Sequence, residues 1–142
     1  LEEAMNAKIF MVRYLSEKAK TPSSGKFLTY REVPWGEVYF RQFQGRCLMR
    51  LAFSYGNKLE AFKKVMTAIG AKPLEQGDCA FELEFMEGFF IRLILWEGDD
   101  EFPPSSQILF SDNFAVTFAA EDLAVAGDIC INMMKAVERK LS

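Results

Sequence analysis

The sequence predicts an α+β fold: an antiparallel sheet of three to four strands, running as a β-meander, packed in two layers against about four helices. Three observations predict it. Cys79, Phe81, Leu83 and Phe85 alternate with Ala80, Glu82 and Glu84, the period of a strand with one wet face. Residues 89–96 are apolar on both faces except Arg92, as expected of a central strand. Residues 36–54, 58–69 and 119–141 instead carry apolar residues three and four apart, the spacing of helices with one buried stripe.

In chain order, residues 2–20 read as an amphipathic helix. Met5, Ile9 and Val12 share one stripe, and Glu2, Glu3, Lys8, Arg13 and Glu17 surround it. Thr21-Pro22-Ser23-Ser24-Gly25 breaks that helix and makes a loop. Residues 27–32 alternate as a short strand, and Pro34 suits the first turn of the next helix. In that helix Tyr39, Phe43, Cys47 and Leu51 fall four apart. Gly45 within it costs about 1 kcal/mol against Ala and marks where it can divide.

Gly56-Asn57 is a turn, with Asn57 as N-cap of helix 58–69. Leu59, Phe62, Val65, Met66 and Ile69 are its stripe, Gly70 its C-terminal cap, and Pro73 lies just beyond. Gly77-Asp78 opens the first long strand, and Met86-Glu87-Gly88 turns the chain back. Arg92 is then placed to pair across strands with Glu82 or Glu84. Residues 107–110 form another strand and Asp112-Asn113 a turn. In the last helix Leu123, Ala126, Cys130, Met133, Val137 and Leu141 form the stripe. Glu121-Asp122 at its start and Lys135, Arg139 and Lys140 near its end suit the helix dipole.

Composition bounds the chemistry. At 142 residues, one domain spanning 1–142 is expected, large enough to fold without a disulfide or metal staple. The chain begins at Leu1 rather than Met, so its start reads as removed, or as that of a fragment lacking an N-terminal segment. A net charge of −3, with scattered Lys and Arg, argues against a nucleic-acid partner. No apolar run approaches a bilayer span and residues 1–20 do not resemble a signal peptide, so a soluble, cytoplasmic protein with no membrane partner is expected. Cys47, Cys79 and Cys130 form no C-x-x-C pair and read as buried hydrophobes. There is no histidine, which excludes Ser-His-Asp and Cys-His catalysis within the chain. Acid–base work would fall to Asp, Glu, Lys, Tyr or Cys.

The string LWEGDDEFPPSSQILF (95–110), followed by AAEDLAVAGDI (119–129), resembles the C-terminal part of an uncharacterised prokaryotic domain-of-unknown-function family common in anaerobes. SSGKFLTYREV (23–33), Tyr39 with Phe43, and GDCAFELEF (77–85) fit the same pattern, and W-E-G-D-x-E-F-P is its most specific part. The resemblance implies a longer N-terminal region in relatives. Some relatives are joined to iron–sulfur segments, but no cysteine motif of that kind occurs here, so no cluster is carried over. The family brings no reaction and no cofactor with it.

One loop concentrates functional residue types: Glu97, Asp99, Asp100 and Glu101 lie within five positions, followed by Phe102-Pro103-Pro104. Clustered carboxylates suit a hard cation, but the spacing is not that of an EF-hand. The other readings are a solvated loop and a loop facing a ligand or partner. The prolines favour extended, stiff backbone. Trp96 beside this arm, with Trp35 and Tyr39, are aromatic candidates, although Trp usually packs in a core. Two functions follow. The first is a non-catalytic accessory module presenting the acidic, Trp-flanked loop to a small molecule or protein. The second is a carboxylate enzyme, with or without Mg²⁺, using the same loop. Ligand and oligomeric state stay open.

Overall fold

The structure is a computed structural model that describes residues 23–141; the helix expected over 2–20 lies outside them. The strands are β1 (Phe27–Thr29), β2 (Lys72–Leu74), β3 (Cys79–Met86), β4 (Phe89–Trp96) and β5 (Ser105–Ser111). They form one antiparallel sheet in the order β1-β5-β4-β3-β2. The α+β class holds, but the sheet has five strands where three to four were expected. The extra one is β2, where Pro73 reads as a helix stop. β2 is an edge strand, the one place in a sheet where a proline without an N–H is readily accommodated. β1 is also shorter than residues 27–32, because Tyr30–Glu32 wind into a 3-10 turn. That turn is fastened by the Glu32 carboxylate, which accepts from the Thr29 N–H at 2.8 Å.

β4 is the middle strand, as its apolar sequence implies. Phe89, Ile91, Leu93 and Leu95 are buried on its helix-covered side, beside Phe81 and Leu83 of β3 and Ile108 and Phe110 of β5. On the opposite side Arg92 donates to Glu82 at 2.9 Å, and its guanidinium sits 3.8 Å over the Phe27 ring. Glu84, the other expected partner, instead accepts from the Gly88 N–H and steadies the hairpin.

The helices are α1 (Gly36–Phe43), α2 (Arg50–Tyr55), α3 (Leu59–Ile69), α4 (Asn113–Thr117) and α5 (Ala120–Leu141). A π-helical segment, Gln44–Met49, joins α1 to α2, so the helix widens around Gly45 instead of dividing there. The wide turn presents Arg46 and Arg50 together to Asp128 of α5, at 3.1 and 2.8 Å. α3 ends as expected at Gly70, whose φ of 92° suits glycine. The Asp112-Asn113 turn continues into α4, which closes an aromatic cluster of Phe89, Phe110, Phe114 and Phe118.

α5 buries Leu123, Ala126 and Cys130 as expected, but then Ile131 and Met134, while Met133 and Leu141 are exposed. At 3.6 residues per turn the stripe that starts at Leu123 reaches 134 sooner than 133.

Candidate functional site

The arm between β4 and β5 is ordered by its own residues. Asp99 folds it: one carboxylate oxygen accepts from the Glu101 and Phe102 N–H groups, each at 2.8 Å. The Asp99 N–H returns a bond to the Phe102 carbonyl, also at 2.8 Å. The Phe102 amide first, and then the Glu101 amide, hold the Asp99 carboxyl below the usual carboxylate range.

Two side chains from elsewhere pin the base of the arm. Asp78 accepts from the Glu97 N–H at 2.7 Å, and Asn57 from the Gly98 N–H at 3.3 Å. Asn57 therefore does not cap α3 with its side chain; Lys58 holds the N-cap position, without a side-chain bond. Neither role was legible locally, because each partner lies far along the chain.

Packing completes the arm. A Cβ on Gly98 would sit 2.6 Å from the Pro104 nitrogen, so only glycine admits the prolines this closely. Pro104 in turn rests on Gly56 at the end of α2, where a Cβ would come within 2.3 Å of it. The result is an open hollow of about 440 Å³ lined by Asn57, Asp99, Asp100, Glu101, Phe102 and the two prolines; Glu97 lies outside it.

Glu97, Asp99, Asp100 and Glu101 are all exposed, and Phe102 is 67% exposed. None of the four carboxylates is in an ion pair among the described residues. Nor do three or more Cys, Asp or Glu side chains gather, among those residues, in an arrangement that would hold a metal ion.

The expected aromatic residues separate. Trp96 is 40% exposed and lies against Gly77, beside the arm but outside the lining of its hollow. Trp35 is 72% exposed, contrary to the core role usual for Trp. It precedes α1 with a left-handed φ of 67°, the one such non-glycine among the described residues. Tyr39 is half-buried in a small cavity with Tyr30, Gln42, Arg46 and Glu121. The continuous helix from Gly36 to Tyr55 runs about 30 Å at 1.5 Å per residue. Trp35 sits before its first turn and the arm touches its last, so Trp35 and Tyr39 do not join the acidic loop in one site.

The remaining candidates are structural. Cys47, Cys79 and Cys130 are buried, and burial pushes all three thiols up, Cys47 to about 12. Such thiols ionise too little to act as nucleophiles. Asp122 is buried and accepts from the Ala119 N–H at 2.9 Å, which closes the first turn of α5. No helix among the described residues is long and apolar enough to cross a membrane.

A family model described as Domain of unknown function (DUF3786) matches residues 2–133. No curated protein and no solved structure matches the chain.

Proposed function

The chain belongs to the DUF3786 family of unknown function, and we propose that it is a non-catalytic, cytoplasmic binding module whose acidic arm meets a small ligand or a protein partner. One observation carries this reading. The arm is held by bonds from Asp78, Asn57 and Asp99 and by proline packing, yet its carboxylates and Phe102 stay in solvent. A loop kept only for solubility needs no such bracing, whereas a preformed recognition surface loses less entropy on binding. The absence of histidine and the unreactive thiols support a module without chemistry of its own.

The test is recovery of partners from the native host by the protein and by an Asp100→Lys, Glu101→Lys variant. Neither side chain makes any of the hydrogen bonds that shape the arm, so folding is expected to survive, as a melting curve would verify. A partner held by the native arm and lost on charge reversal supports the module. Equal recovery by both, or none by either, overturns it. A melting shift with Mg²⁺ that disappears in the reversed variant would instead favour carboxylate-based metal chemistry.

A further inference from the structure

Beside the acidic hollow lies a second, smaller one of about 140 Å³, between the π segment, α2 and the start of β5. The two share Pro104 in their linings. Leu48, Met49, Ala52 and Phe53 form the helical wall of this groove. Met49 and Phe53, four apart and so neighbours on one helix face, are 47% and 62% exposed. Gln44, Ser105 and Ser106 also line it, and the Ser106 hydroxyl is already engaged, donating to the Leu48 carbonyl. The groove therefore offers apolar surface with room for about one side chain, well below the roughly 300 Å³ of a typical small-molecule pocket.

Charge decides what kind of molecule follows that side chain. The neighbouring arm presents carboxylates that have no cation among the described residues. Phosphate-bearing partners, whether nucleic acid or anionic lipid, would be repelled there, and cations drawn in. Resting on the module reading above, we propose that the partner is a polypeptide segment with one apolar side chain next to Lys or Arg. The apolar side chain occupies the groove of Leu48, Met49, Ala52, Phe53 and Pro104, and the cations lie over Asp100 and Glu101.

The test is a random library of short peptides displayed on phage and panned against the protein, with the enriched sequences synthesised and titrated. Enriched peptides should pair Leu, Met or an aromatic residue with adjacent Lys or Arg. Their affinity should fall about tenfold or more in Phe53→Glu and in Met49→Glu, the size expected for loss of an anchor. It should also fall in Asp100→Lys, Glu101→Lys and with added salt. Met49 and Phe53 are exposed, so melting curves should stay close to the native one; the milder Phe53→Ser serves as a second variant.

No enrichment, or enrichment of acidic peptides, overturns the proposal. So does affinity unchanged by all three groove substitutions; if charge reversal still abolishes binding, the arm reading stands and only the groove is wrong. Loss with the groove variants but not with charge reversal removes the arm from the interface, and both readings then fall.

Discussion

Asp99 is the residue whose role changes most once its bonds are seen. In the sequence it is one of four carboxylates, any of which could serve a cation; in the fold its oxygen is spent on two backbone amides. The depressed pKa has a consequence of definite sign. The stabilisation is complete above the ordinary carboxylate value of about 3.9 and is lost as pH falls through the lower folded value. Trp96 fluorescence, recorded in a Trp35→Phe background, should report the arm loosening only below about pH 4. In Asp99→Ala, which removes the accepting oxygen, the arm should be loose already at neutral pH, with that acid transition gone. Tyr30 gives the opposite case. Its ring stacks on Phe43 at 4.0 Å and its hydroxyl donates to the Ala120 carbonyl at 2.9 Å. Burial above all pushes its phenol up to about 12. The folded state therefore holds this proton more tightly, and stability is lost as pH rises from about 10 towards 12. Tyr30→Phe should cost about 0.5–1.5 kcal/mol at neutral pH and lose less than the native protein across that alkaline window, as denaturant melts at each pH would measure.

Among the elements, the helix from Gly36 to Tyr55 separates what periodicity reveals from what it hides. The four-residue spacing of Phe43, Cys47 and Leu51 marks the buried stripe correctly. It does not reveal the π segment, because one extra residue in a turn leaves the inward positions apolar. Its cause lies across the interface. Gly127 of α5 brings its backbone close enough that a Cβ would stand 3.0 Å from the Cys47 sulfur, and Asp128 gathers both arginines. Gly45 itself is exposed, has open space around it and does not use a positive φ. Gly45→Ala should therefore stabilise the protein by about 0.5–1 kcal/mol, through helix propensity alone. A lower melting temperature in that variant would mean that the wide turn needs glycine. Gly127→Val should do the reverse, prising α5 from the π segment at a cost of about 1–3 kcal/mol for overpacking.

For the whole molecule, the class, the central strand, the hairpin, two helical stripes and the first turns of a third were legible because each depends on a short-range period. The acidic loop was legible as a loop, but not as a braced one, since Asn57 and Asp78 act on backbone far from them in sequence. The edge strands were the hardest to read: three residues each, one carrying a proline, they are defined by neighbours and not by pattern. One of them also sets an order of events. β2 to β5 follow one another through short connections and can zip together locally. β1 pairs Phe27 with Ser111, Leu28 with Phe110 and Thr29 with Leu109, so it has no ladder until β5 has been made. During synthesis, residues 27–29 leave the ribosome early and wait unpaired while everything up to Ser111 is added. Closing so long a loop is the entropically slow kind of contact. The helix that starts at Gly36, and with it the wall of the apolar groove, packs directly on the same β5, so it too is seated on the sheet only once that strand has been made.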